Sequence, residues 1–210
     1  MVIISRIAVF PVPDKAAEVQ SVLEGYISSN PNKIRNSLWR VVFGELPAFS
    51  AISLFDSLED YEKNRDANIA NPDYVQAVAK FNPMLRQPTI TRLATSIVDP
   101  VGDMNAGQRY TQQAIIRPTT QGQAAVRSIV VDFAKEMQAE GRPRFRVSQA
   151  LFPHDGPAIS MMDGYETLAE LENVMRQRQG KVDELRSKIG SNLSAPTMSR
   201  IREVILPFNR

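Results

Sequence analysis

Arg6, Arg40, Arg92 and Arg200 each fall in an apolar run with the two-residue alternation of a β-strand. A guanidinium forks onto carboxylates and similar oxyanions, so arginines gathered on strand faces could line a cavity for a carboxylate, an enolate or another small anion. Ile90, Arg92, Ala94 and Ser96 share one strand face, and Met198, Arg200, Arg202 and Val204 share the corresponding face later in the chain. The blander reading pairs these arginines with Glu45 or Glu203, or turns them to water, since a buried arginine is usually paired. Trp39, the single tryptophan, is a flat wall for a ligand or a plain core residue. Tyr26, Tyr61 and Tyr74 fall on helix faces turned toward the sheet, where each could donate a hydrogen bond to a substrate or simply pack.

His154 beside Asp155 is the minimum for proton abstraction, a base with an orienting carboxylate. Adjacent residues at a strand end do not face one another, however, and Asp155-Gly156 is ordinary turn chemistry. Arg142-Pro-Arg-Phe-Arg146 is the densest basic patch, and its alternation reads as a solvated strand start. Met161-Met162 reads as core packing. No dinucleotide fingerprint, phosphate-binding loop, nucleophile elbow or paired-histidine zinc motif occurs.

Composition narrows the chemistry further. The 210 residues contain no cysteine and one histidine. Thiolate nucleophiles, disulfides, cysteine-held clusters and multi-histidine metal sites are therefore excluded. A metal would need carboxylates, and no calcium-loop spacing is present, so neither a metal nor a cofactor is expected. Lys and Arg total 25 against 23 Asp and Glu, which gives nucleic acid no reason to bind. With 43% hydrophobic and 23% charged residues the chain can build an ample core. No stretch reaches the roughly 20 apolar residues of a membrane helix, and the first residues lack a basic leader. The expectation is a cytoplasmic protein that contacts no membrane.

These residues are held by an element order that occurs twice. Thr89-Ile-Thr-Arg-Leu93 matches Thr197-Met-Ser-Arg-Ile201 at an offset of 108. Phe55 to Glu59 matches Met162 to Glu166 at 107, and Phe43-Gly-Glu45 lies against Phe152-Pro-His154 at 109. In the first half, strand 2–10 precedes a helix capped by Asp14, with Val19, Val22, Leu23, Tyr26 and Ile27 on one face. Strands 37–44 and 48–55 form a hairpin around residues 45–47. Ser57 with Asp60 caps the next helix, and Asn71-Pro72 interrupts and restarts it before strand 89–98.

The second half runs from strand 109–117 through a helix capped at Thr119 or Thr120 and broken at Gly141-Arg-Pro143. Strands 145–152 and 157–162 follow, then a helix boxed by Asp163 and Glu166, a break at Gly180, and strand 197–206. The predicted domains are 1–98 and 109–210, joined by a turn-rich linker, 99–108. Each half reads β-α-β-β-α-β, the ferredoxin-like unit, whose two helices leave one sheet face bare. The fold class is therefore α+β: tandem ferredoxin-like repeats with their sheets packed face to face as an intramolecular barrel, helices outside.

Leu54-Phe-Asp-Ser-Leu-Glu-Asp-Tyr-Glu-Lys-Asn-Arg65, followed by Asn71-Pro-Asp-Tyr74 and Phe81, resembles the dimeric α+β barrel superfamily. The likeness is to its antibiotic-biosynthesis-monooxygenase-like and NIPSNAP-like branches, with both halves of the dimer fused. The resemblance in architecture covers nearly the whole chain, and the local motif about 30 residues. Departures exist: Leu54-Phe55 stands where an aromatic pair is usual, Gly180 replaces Asn-Pro, and His154 lies in a turn where haem-binding relatives use a helix histidine. No catalytic residue is carried over.

The resemblance implies a small-molecule-binding protein, of the cofactor-independent monooxygenase or isomerase kind, acting on a small anionic or aromatic substrate. The alternative is a non-catalytic binding or assembly module of the same fold. The ligand-binding candidates are Arg6, Trp39, Arg40, Arg92 and Arg200. The fused chain would be a pseudo-dimer in itself, with further homodimerisation open.

Overall fold

A computed structural model describes residues 2–29, 35–43, 48–102, 108–152 and 156–208. His154 and Asp155, the two hairpin turns and part of the linker lie outside the described residues. Two compact units are present, Met1–Leu93 with Glu203–Arg210, and Ala94–Arg202. Their boundaries fall inside two strands, so each unit borrows the end of a strand that begins in the other's sequence.

The first unit contains β1 (Ile3–Val9), α1 (Ala16–Ser29), β2 (Arg35–Phe43), β3 (Phe49–Phe55), α2 (Leu58–Ala70), α3 (Pro72–Phe81) and the start of β4 (Ile90–Val98). The second contains β5 (Tyr110–Pro118), α4 (Gln123–Ala139), β6 (Arg146–Ala150), β7 (Ile159–Tyr165), α5 (Leu168–Ile189) and most of β8 (Leu193–Leu206). The strands form a closed barrel in the order β1-β3-β2-β8-β5-β7-β6-β4. β3 lies antiparallel between β1 and β2, as β7 does between β5 and β6. Two ferredoxin-like repeats in an α+β barrel are what the alternation and element order specify.

Each unit buries its own apolar helix stripes. Val19 and Leu23 of α1 pack with Val9, Leu38, Phe49 and Phe81. Val126, Val130, Ala134 and Met137 of α4 pack with Ile116 and Ile189, among others. The breaks come from side chains acting on backbone. Asn71 accepts a hydrogen bond from Asp73 N–H and Pro72 occupies the first helical position, so α2 ends and α3 begins there.

Several local expectations need correcting. Asp14 does not cap α1; it sits inside a 3-10 turn, Pro13–Lys15, that leads into the helix. Thr119 accepts from Gly122 N–H, one turn before α4, and α4 itself has no side-chain cap. The second capping box is Thr167 with Glu170, not Asp163 with Glu166, because β7 continues to Tyr165. Strand register gives the same answer. Phe55 faces Ile3 and Tyr165 faces Tyr110, so the partner of Phe55 in the second repeat is Tyr165, 110 residues on, not Met162. Phe55-Asp-Ser-Leu58 thus corresponds to Tyr165-Glu-Thr-Leu168, aromatic, acid, cap and leucine in both.

Gly180 does not break its helix either, and α5 runs unbroken from Leu168 to Ile189. Glycine keeps the N–H that proline lacks, so it weakens a helix without severing it. A Cβ at Gly180 would meet nothing within 4 Å. Gly180→Ala is therefore expected to stabilise the chain by about 0.5–1 kcal/mol and raise the melting temperature by roughly 1–4 °C. A melting curve that is unchanged or lowered would contradict this.

Candidate functional site

Among the described residues, each unit holds a cavity between its helices and its sheet. The cavity of the first unit is about 340 Å³ and that of the second about 330 Å³. Both lie at the lower end of the range typical of ligand sites, roughly 300–1,000 Å³. Matched strand positions line them: Ser5, Ile7 and Val9 in one, Gln112, Ala114 and Ile116 in the other. Strand alternation explains the set, since residues two apart share a face.

The first cavity exists because α2 has an unusual inner face. Tyr61, Asn64, Arg65, Asn68 and Ile69 follow the i, i+3, i+4, i+7, i+8 spacing and all line it, yet α2 contains no buried residue. An ordinary covering helix would put leucine and valine on that stripe and fill the space. α3 adds Tyr74, Ala77, Val78 and Phe81 at the same kind of spacing, and α1 adds Tyr26. All three tyrosines expected on sheet-facing helix surfaces therefore reach one cavity. The asparagines were not singled out from sequence. Their signal was two amides on a helix stripe where apolar residues belong.

The polar and aromatic groups brace one another. Tyr26 Oη donates to Asn68 Oδ1 at 3.0 Å. The Tyr26 and Tyr74 rings lie 5.4 Å apart and tilted, and Phe55 meets Tyr61 edge-to-face at 5.5 Å. Burial, with Tyr74 adding to it, pushes the Tyr26 phenol up to about 12. Burial raises Tyr74 too, with Tyr61 contributing. These phenols are neutral hydrogen-bond donors at physiological pH. The charge of Arg65 is already matched by Asp66 at 2.8 Å and Glu62 at 3.6 Å. The described lining holds no carboxylate and no histidine.

The second cavity has the same walls and different chemistry. The position of Tyr74 on α3 corresponds to Val182 on α5, and the cavity is lined by Met137, Met161, Met162 and Met175. Asp163 in its lining belongs to an ionic cluster built on Arg142. Gly141, at φ +85°, ends α4 in a left-handed turn, with Arg142 N–H donating to Met137 O and Gly141 N–H to Gln138 O. That turn aims Arg142 back at β7. Its Nε donates to Asp163 at 2.8 Å, Nη1 to Glu170 at 2.6 Å and Nη2 to Gly164 O at 2.7 Å, over the Tyr165 ring. The patch expected to be a solvated strand start is thus largely buried, because acidic residues on β7 and α5 stand opposite it. Arg146 is 7% exposed.

Arg6, Trp39, Arg40, Arg92 and Arg200 line neither of these two cavities. Arg6 sits between Ser5 and Ile7, Arg92 follows Thr91, and Arg200 follows Ser199, so alternation sends these three to the opposite strand face. On that face Arg6 donates to Ser50 Oγ at 3.2 Å and the buried Trp39 to Ser37 Oγ at 2.6 Å. Arg40 shares its face with Asn36 but pairs with Glu203 at 2.5 Å. Arg202, buried, donates to Gln113, which donates to Ser160. Among the described residues no group of His, Cys, Asp and Glu could hold a metal ion, and no helix is long and apolar enough to cross a membrane.

No protein-family model matches the chain, and no curated protein does. Solved structures do match over the full length. A provisionally named monooxygenase of Fusobacterium nucleatum subsp. nucleatum aligns over 100% of this chain and 94% of its own, at 8% identity and a TM-score of 0.77. An anthrone oxidase-like protein aligns over 97% and 91%, at 15% identity and 0.65. A second provisionally named monooxygenase, from Lactobacillus acidophilus NCFM, aligns over 98% of both chains, at 11% identity and 0.63. At these identities the likeness is one of fold. That fold is an α+β barrel with two ferredoxin-like repeats on one chain.

Proposed function

We propose that the chain binds a small planar aromatic molecule in the cavity of its first unit and acts on it as a cofactor-independent monooxygenase- or isomerase-like enzyme. The observation that carries this is the convergence of Tyr26, Tyr61 and Tyr74 on one cavity whose helix stripe is polar where a core would be apolar. Rings stack and meet edge-on, and rigid aromatic walls suit a flat ligand. The names of the structural neighbours agree with an oxygenase, though a shared fold does not choose a reaction.

The residues present define what the protein can contribute. Neutral phenols and amides can hold a substrate oxygen and stabilise negative charge as it develops there. With no carboxylate or histidine in the described lining, the substrate must itself be acidic enough to lose its proton to water. Oxidation of such a CH₂ group by O₂ balances without further reactants. One oxygen atom becomes the new carbonyl, and the other leaves as water with the two hydrogens.

Anthrone is a suitable probe, since its oxidation gives anthraquinone and water. The expected result is oxygen uptake above the spontaneous rate, with one O₂ consumed per quinone formed. Binding without oxygen uptake would favour the alternative, a non-catalytic binding module. No binding would remove both readings. Arg6, Trp39, Arg40, Arg92 and Arg200 are proposed only as separate contacts for an anionic group, each within its own unit and not as one site. At Arg40 an anion would have to compete with Glu203, and at Arg6 with the bond to Ser50.

A further inference from the structure

The two repeats have kept the same cavity and changed its lining, and the change in the second unit is coherent. The first cavity has three tyrosines on its helices and no methionine among its described lining, whereas the second has four methionines beside Phe133, Phe145 and Tyr165. Ile116, Met137 and Ile189 are fully buried and form the depth, whereas Met175 is 43% exposed and marks the mouth. Methionine is unbranched and adapts to irregular shapes, so four of them beside the rings give a wall that fits a flexible chain.

Arg178, Gln179 and Arg186 of α5 also line this cavity, a cation, an amide and a second cation along an otherwise apolar helix stripe. Arg186 is engaged by Asp183 at 3.2 Å. Arg178 is half-buried and makes no ion pair or hydrogen bond with the described residues. The one acid in the lining, Asp163, does not compete for it. Its Oδ2 accepts from Arg142 and its Oδ1 from the Gly164 N–H. Among the described residues the Gln112 side-chain N–H meets only a thioether, Met175 Sδ at 3.8 Å, while its oxygen accepts from Tyr165 Oη, so the N–H can donate to an oxygen of a ligand.

We propose that the cavity of the second unit binds a medium-length aliphatic carboxylate, its chain among the methionines and its carboxylate on Arg178. The site is separate from the aromatic site of the first unit and stands or falls independently of it. A chain carrying two unlike cavities binds two unlike ligands, and duplication followed by divergence of the lining is how one fold comes to do so.

The probe is octanoate, titrated calorimetrically into the full chain beside octanol and methyl octanoate, which keep the chain and lose the charge. Octanoate is expected to bind at least about tenfold more tightly than either neutral probe, because a hydrogen bond to a charged partner is worth more than one to a neutral group. Arg178→Gln is expected to remove that preference while leaving octanol affinity unchanged, and Arg178→Lys to restore part of it. Arg178 lies on a helix surface, and an unchanged octanol titration shows that the variant is folded. Ala77→Trp, which fills the first cavity, is expected to leave octanoate binding as it was. No octanoate binding, equal affinity for octanoate and octanol, or insensitivity to Arg178→Gln would overturn the proposal. Loss of octanoate binding in Ala77→Trp would also overturn it, by placing the ligand in the wrong unit.

Discussion

Arg142→Met is expected to cost about 3–5 kcal/mol of stability, the largest effect of any single substitution proposed for this chain. The guanidinium side chain is 12% exposed and its partner Asp163 is 4% exposed. Removing the cation strands a buried carboxylate, leaves Gly164 O without its donor and takes from Glu170 one of its two. For a chain of this size the melting temperature should fall by roughly 6–20 °C. A loss below about 1 kcal/mol would show the cluster to be no better than a surface pair.

The cluster also sets an acid limit. Burial pushes the Glu170 carboxyl up, but the hydrogen bonds from Arg142 and from the Glu166 N–H, with the Arg142 charge, outweigh it. The net value lies below the ordinary 4.5. A carboxylate lowered by folding stabilises the native state above its ordinary value, and that contribution is lost as pH falls through the lowered one. The stability of the intact chain should therefore decline below about pH 4.5 more steeply than that of Glu170→Gln.

The second large effect concerns binding. Ala77→Trp puts a ring where the proposed ligand would place its own. A probe that loses the burial of one ring forfeits roughly 1.5–3 kcal/mol, so affinity for anthrone should drop about 10–150-fold. Ala77 is only half-buried, and the new side chain enters existing space, so folding should survive. Equal affinity in the variant and the intact chain would show that anthrone does not occupy this cavity.

The backbone architecture was legible in the sequence because its signals are local. Alternation gave the strands, and Ser57, Asn71 and Pro72 act through hydrogen bonds that span two or three residues. What misled was similarity without register. Met162 resembled Phe55 in type, but only strand pairing shows that Tyr165 takes its place. Arg142 was misread for a related reason, since its partners lie 21 and 28 residues away and no local pattern announces them. The tyrosines of the first cavity were visible as a helix stripe. Their convergence was not, because it depends on three helices meeting one sheet face. The strand arginines were prominent by charge, yet the faces turned to the two cavities carry serine, threonine and glutamine instead.

The most direct test of the aromatic site uses the five tyrosines as reporters. Three of them, Tyr26, Tyr61 and Tyr74, line the first cavity, and Tyr165 lines the second. With isotope-labelled tyrosine rings, NMR can follow each one as anthrone is added. The account predicts that the resonances of Tyr26, Tyr61 and Tyr74 shift together by ring current while those of Tyr110 and Tyr165 stay in place. Movement of Tyr165 alone, or no movement of the three, would contradict it.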